Sequence, residues 1–137
     1  MNSPLTVDAS VFVNAFSPTE QGSLQSWRFL AEQKANGVPL IAPVLLLTEL
    51  AAAITRKQNN AELALRLALE VKNLPNLTLI DVDASLVELS SEIAARHRLR
   101  GVDAIYAAVA QRFATPLVTL DREQLERLEG LIPVRKP

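Results

Sequence analysis

The chain has 137 residues, 49% of them hydrophobic, with no cysteine and a formal net charge of −1. That length and apolar content fit one domain, residues 1–137, with a real core, and exclude a disordered chain. The near-neutral charge excludes a global basic field for nucleic acid, and the absent cysteines exclude disulfides and thiolate metal sites, so a reducing cytoplasm is the expected compartment. Any nucleic-acid contact must come from a local patch. Ten arginines against four lysines favour groups suited to bidentate phosphate contacts. No signal peptide is expected, since Asp8 interrupts the first apolar run. The longest apolar stretch, Val38 to Ile54, is broken by Pro39, Pro43 and Glu49. It falls short of the ~20 clean residues a membrane span needs.

The first element is the run Leu5 to Val13, apolar around a lone acid, Asp8. It reads as a buried strand that stops at Asp8, with Ser10 starting a short helix to Phe16. Ser17-Pro18-Thr19-Glu20 is an N-cap followed by a first-turn proline, so a second helix is expected from there through Trp27, Phe29 and Leu30 to Gly37. Pro39 to Ala42 is a strand, and Pro43 opens a third helix to about Lys57. Asn60 caps a fourth helix over Ala61 to Lys72, with leucines at 63, 65, 67 and 69 on opposite faces, one of them a candidate dimer surface. Leu77 to Ile80 is a strand. Asp83 caps a fifth helix, and Gly101 separates it from a sixth over Val102 to Phe113. Pro116 to Leu120 is a strand, Arg122 to Glu129 a helix ended by Gly130, and Leu131 to Val134 a last strand. The alternation predicts a three-layer α/β fold: a central, mostly parallel sheet of four to five strands flanked by about seven helices.

Four acids stand outside the polar helix faces. Asp8 ends the first strand, and Asp121 ends the strand Leu117 to Leu120. Glu49 lies in a helix apolar nearly all round, which predicts burial. Asp103 opens another apolar helix. Singly, Asp8, Asp103 and Asp121 are good helix caps; Glu49, mid-helix, is not. Together they predict one acidic crevice at the carboxyl ends of parallel strands. Carboxylates crowded there repel each other unless a cation sits among them. Oxygen ligands without cysteine describe a Mg²⁺ or Mn²⁺ site, a setting for phosphoryl chemistry.

Val7-Asp8-Ala9-Ser10, Leu47-Thr48-Glu49-Leu50, Arg100-Gly101-Val102-Asp103-Ala104 and Val118-Thr119-Leu120-Asp121, in that order over nearly the whole chain, resemble the PIN-domain ribonucleases. The likeness is greatest to the short VapC-like toxin branch of type II toxin–antitoxin systems. The resemblance implies Asp8, Glu49 and Asp103 as core acids and Asp121 as the fourth, as metal ligands and catalytic residues. It implies Ser10 and Thr119 as the hydroxyls that orient them. It also implies a five-stranded parallel sheet, a homodimer, an RNA substrate and a cognate antitoxin that plugs the acidic cleft.

Arg96, Arg98 and Arg100, a basic run before Asp103, are candidate RNA contacts or simple helix C-terminal cations. Arg56, two turns after Glu49, is a further candidate. His97, the lone histidine, is expected on the surface, and Trp27 and Phe29 in the core or an interface. The competing function classes are a receiver-like phosphoacceptor domain and an inactive binding module. The receiver pattern calls for paired acids after the first strand and a late lysine, whereas Asp8 stands alone and the only late lysine is Lys136.

Overall fold

The structure, a computed structural model, describes residues 3–137; residues 1 and 2 of the expected domain lie outside it. The chain begins with β1 (Leu5–Val7), buried throughout, and α1 (Ala9–Ala15). Next come α2 (Ser23–Ala35), β2 (Leu40–Pro43), α3 (Leu46–Gln58), α4 (Ala61–Lys72) and β3 (Leu77–Ile80). The second half holds α5 (Ala84–His97), α6 (Gly101–Arg112), β4 (Leu117–Val118), α7 (Arg122–Arg127) and β5 (Val134–Arg135). Among the described residues, five strands and seven helices match the expected architecture. The sheet is parallel at every pairing, in the order β3-β2-β1-β4-β5. β1 is central: Leu5 pairs with Leu40 of β2 on one side, and Val7 with Val118 of β4 on the other.

The chain steps outward from β1 to β2 to β3, then crosses back to β4 and on to β5. Right-handed crossovers in opposite directions put their helices on opposite faces of a sheet. Helices α1 to α4 therefore cover one face and α5 to α7 the other. The core fills with Val7, Phe12, Leu40, Leu46, Leu50, Ile54, Leu86 and Leu117, together with the alanines of α6. Ala104, Ala107, Ala108 and Ala110 are wholly buried, and such small side chains let α6 lie close against the sheet. No helix among the described residues is long and apolar enough to cross a membrane.

Side-chain caps fix several boundaries where they were expected. The Asn60 side chain accepts from Leu63 N at 3.0 Å and that of Asp83 from Leu86 N at 2.8 Å. Other boundaries differ. Helix α2 starts at Ser23, not Ser17, because the Ser17 hydroxyl turns back to donate to Val13 O at 2.6 Å. Asn14 then pins the loop, donating to Gln21 O (3.0 Å) and Glu20 Oε1 (3.3 Å). Gly22, at φ +81°, turns the chain into α2 through the left-handed region that glycine tolerates. Pro43 ends β2 instead of opening α3, since it stays in register with Ile80 and the Val44 N–H continues the ladder to Ile80 O.

Strand β4 holds two residues, not five. Past Val118 the Leu120 N–H leaves the ladder to donate to Ser10 Oγ at 3.0 Å. Strand β5 begins at Val134, because Leu131 N and Ile132 N both donate back to Leu128 O. Helix α3 is not buried all round. Leu46, Leu50 and Ile54 make one buried stripe, while Thr48 and Ala52 are exposed and Glu49 is half-buried between them. On α4, Leu65 and Leu69 are exposed while Leu63 and Leu67 pack against the core.

Candidate active site

The reversal of strand order falls between β1 and β4, and a crevice opens there beyond the carboxyl ends of both strands, as it does generally in open parallel sheets. The cleft measures about 1000 Å³ and is lined by Asp8, Ser10, Asn14, Thr48, Glu49, Arg56, Lys57, Arg100, Asp103 and Asp121 among others. All four unusual acids therefore share one space. A separate groove of about 510 Å³, lined by Trp27, Leu30, Val71 and Leu74, is mainly apolar and holds none of them.

Asp8 and Asp121 serve as helix caps and also line the cleft. Asp8 opens α1: its Oδ2 accepts from Ser10 N at 3.0 Å and its Oδ1 from Gln124 Nε2 at 3.2 Å. It is only 5% exposed. Asp121 opens α7, its Oδ1 accepting from Gln124 N at 2.9 Å. Asp103, in the first turn of α6, accepts from Arg100 Nε at 3.0 Å, and Arg100 Nη2 reaches Asp121 Oδ2 at 3.4 Å. The Arg100 guanidinium thus lies across two of the acids. Glu49 Oε1 accepts a short hydrogen bond, 2.6 Å, from the buried Tyr106 hydroxyl.

Burial is the largest cause that raises Asp8, Glu49 and Asp103 above the ordinary carboxylate range. Mutual charge adds to it: Asp121 raises Asp8 and Asp103, while Asp8 and Asp103 raise Glu49. Glu49 is pushed up to about 7. Arg100 opposes this at Asp103 and is itself raised, through its bond to that carboxylate. Burial, and then the Glu49 charge, push the Tyr106 hydroxyl far up, so it stays a donor.

The two expected hydroxyls lie behind the acids. Thr119, wholly buried, donates to Gln124 Oε1 at 2.6 Å and accepts from Asp121 N at 3.0 Å. Ser10 Oγ is 3.3 Å from Thr119 Oγ1. They join the elements carrying the acids, and Ser10 also bonds Asp8 through both its hydroxyl and its backbone N–H, which favours the charged carboxylate.

The basic candidates divide. Arg100 and Arg56 line the cleft. Arg96 is held on Glu92 one turn back on α5. Arg98 ends that helix at φ +55°, its carbonyl accepting from Arg127. Neither lines the cleft, because the left-handed turn at Arg98 separates the α5 end from Arg100. His97 is half-buried, its Nδ1 2.9 Å from Arg127 O. Trp27 is exposed and Phe29 buried.

Two residues of the site escape sequence reasoning. Tyr106 sits three places after Asp103 in an otherwise small-residue helix, a signal that could have marked it. Gln124 sits three places after Asp121, where it reads as the far half of a capping box. In the structure Thr119 Oγ1 takes the Asp121 N–H instead, and the Gln124 side chain turns inward to the acids.

Among the described residues, no three acidic or histidine side chains are gathered tightly enough to form a ready metal cage. The donor set is nevertheless carboxylate and hydroxyl oxygen, with a guanidinium across two of the acids. That chemistry fits a hard divalent ion that keeps several waters between itself and its protein ligands.

The PIN domain family model matches residues 5–131. The chain is a member of the PIN domain family. Membership sets aside the receiver-like alternative. A comparison with curated protein sequences found no match. Among solved structures, the PIN domain is similar to VapC20 of Mycobacterium tuberculosis, a sarcin–ricin-loop-cleaving toxin (TM-score 0.74, 19% identity, 86% of this chain and 90% of that one). It is similar to a chain of VapBC2 from Rickettsia felis bound to a promoter DNA fragment (0.71, 18%, 98% and 99%). A chain of a toxin–antitoxin complex from Klebsiella pneumoniae also matches (0.64, 17%, 95% and 94%). At these identities the likeness is one of fold.

Proposed function

We propose that this PIN domain is a metal-dependent endoribonuclease that hydrolyses RNA phosphodiester bonds, acting as the toxin of a toxin–antitoxin pair. The observation that carries the reading is the meeting of Asp8, Glu49, Asp103 and Asp121 in one cleft at the sheet's reversal point. Those four carboxylates would hold Mg²⁺ or Mn²⁺, directly or through water. The bound ion would supply Lewis acidity toward a phosphoryl oxygen and lower the pKa of a bound water.

The chain's own residues set the rest. Asp8 is fixed at both oxygens and is the anchor of the set. Glu49 has Oε1 occupied by Tyr106, which leaves Oε2 on the cleft side of the carboxylate without a hydrogen bond among the described residues. In the metal-free cleft its pKa of about 7 leaves it partly protonated at neutral pH, so cation binding there would release a proton. Arg100 neutralises Asp103 and Asp121 in the metal-free cleft, and Arg56, without an ion pair among the described residues, offers a guanidinium to a substrate phosphate.

The partners on this reading are RNA, a cognate antitoxin and a second copy of the chain. One of the similar folds comes from a complex named as toxin with antitoxin, and another from VapBC2 bound to promoter DNA. Leu24, Trp27, Leu65 and Leu69 are each more than half exposed in the single chain, the kind of apolar surface a partner covers. The cysteine-free composition favours the cytoplasm.

The deciding experiment incubates labelled RNA with the purified protein in Mg²⁺ or Mn²⁺. Cleavage should occur with either ion, stop in excess EDTA and vanish in Asp8→Asn, which keeps the α1 cap and so the fold. Full cleavage by Asp8→Asn or in EDTA overturns the reading. A folded wild type that binds RNA and never cuts it favours the inactive binding module.

A further inference from the structure

Gln124 is wholly buried. Burying a side-chain amide costs free energy unless each of its polar groups finds a partner, and an apolar residue of similar volume fills the same space at lower cost. Here the partners are residues of the acidic cleft and the Thr119 hydroxyl behind it. Nε2 donates to Asp8 Oδ1 and to the Asp103 carbonyl oxygen, both at 3.2 Å. Oε1 accepts from the Thr119 hydroxyl at 2.6 Å. The backbone N–H donates to Asp121 Oδ1 at 2.9 Å. One residue therefore touches the end of β1, the start of α6, the residue after β4 and the cap of α7.

The amide's orientation is dictated. The Asp103 carbonyl oxygen can only accept, so the amide turns Nε2 to it and Oε1 to the Thr119 hydroxyl, which donates to Oε1 while accepting the Asp121 N–H. Nε2 then also faces Asp8 Oδ1. On the far side, Asp8 Oδ2 is held by Ser10 N. With a donor on each oxygen the carboxylate's rotation is restrained from both sides. The contrast with the neighbouring acids is direct: Asp103 and Asp121 lean on Arg100, whose side chain is 74% exposed.

We propose that Gln124 is a positioning residue of the active site, a buried amide clamp that fixes the orientation of Asp8 for divalent-cation binding and ties it to Asp103 and Asp121. The inference rests on the metal-dependent reading above. It deepens that reading by naming what keeps a preformed ligand in place. Groups behind a metal ligand set both affinity and geometry, and their loss costs on the order of 10–100-fold.

The test compares the wild type with Gln124→Met, which keeps length and volume and removes both amide functions. Mn²⁺ affinity is measured by calorimetry on the folded, metal-free proteins, and kcat and KM with a labelled RNA. The expected result is a Kd for Mn²⁺ weaker by about tenfold or more and a similar fall in kcat, with KM for RNA little changed. A role in packing alone would lower Tm and leave the Mn²⁺ Kd of the folded variant at the wild-type value, which overturns the clamp. A wild type that neither binds Mn²⁺ nor cuts RNA overturns the ribonuclease reading and the clamp with it.

Should Gln124→Met fail to fold, the wild type answers by NMR. Saturating Mg²⁺ should shift the assigned Gln124 side-chain amide signals. Unmoved signals at a Mg²⁺ level that shifts other cleft resonances overturn the proposal.

Discussion

Glu49 and Tyr106 show how one contact sets a charge. Burial and the charges of Asp8 and Asp103 raise Glu49 to about 7, while the Tyr106 hydroxyl bond pulls the other way. The folded, metal-free chain therefore keeps a proton that the unfolded chain gives up from about pH 4.5 upward. Its stabilising effect is complete below that pH and is lost as pH rises to about 7. Asp8 and Asp103, also raised, act in the same sense. Glu20, lowered by Lys57, opposes them weakly, being partly exposed. Metal-free protein should melt a few degrees higher at about pH 5.5 than at about pH 7.5, and Glu49→Gln should remove much of that difference. Melting curves that rise with pH over this range contradict the assignment. Tyr106→Phe keeps the buried ring and deletes the donor. It should cost about 1 kcal/mol of stability and move Glu49 higher still, shifting the acidic limb of the pH–rate profile upward. An unchanged profile would separate Tyr106 from the chemistry.

At the scale of elements, a single carboxylate often does two jobs. Asp121 caps α7 and also faces the cleft, so its two roles need two substitutions. Asp121→Ala removes the cap and should lower stability by about 1 kcal/mol. Asp121→Asn keeps a capping oxygen and should leave Tm near that of the wild type. Both should lose most of the cleavage activity; retention by Asp121→Asn would reduce Asp121 to a cap. The same doubling explains what could be read in advance. Acids at strand ends and helix starts were visible because Asp8, Glu49, Asp103 and Asp121 each break an apolar pattern, and the caps at Asn60 and Asp83 obey local rules. The late start of α2 was hidden. It depends on Ser17 and Asn14 bonding to backbone rather than on propensity. Gln124 was hidden because its spacing mimics a cap, and its partners lie up to 116 residues away in sequence. The arginine run looked continuous, but the turn at Arg98 sends its members to different surfaces.

For the molecule as a whole, a net charge of −1 makes the proposed RNA binding a local matter. The cations lining the cleft are Arg56, Lys57 and Arg100; Lys57 is paired with Glu20 and Arg100 with two acids. Few phosphates can be neutralised at once, so binding should show a shallow salt dependence. Arg56→Ala should weaken RNA binding several-fold across sequences and lower the slope of log K against log salt by about 1. Binding measured with Ca²⁺ or with Asp8→Asn would isolate this from turnover. A sequence-dependent loss would instead mark Arg56 as a base reader.

The central place of β1 has a further consequence in time. The strand β1 waits for elements far along the chain: Asp8 and Ser10 meet Gln124 and Leu120 across separations of 116 and 110 residues. Contacts so distant in sequence cannot form until the intervening chain exists. A growing polypeptide that has not yet extruded β4 and α7 has one wall of a cleft and no clamp. On the proposed activity the growing chain should therefore cut no RNA until β4 and α7 exist, and chains truncated before residue 117 should be inert however well their amino-terminal helices form.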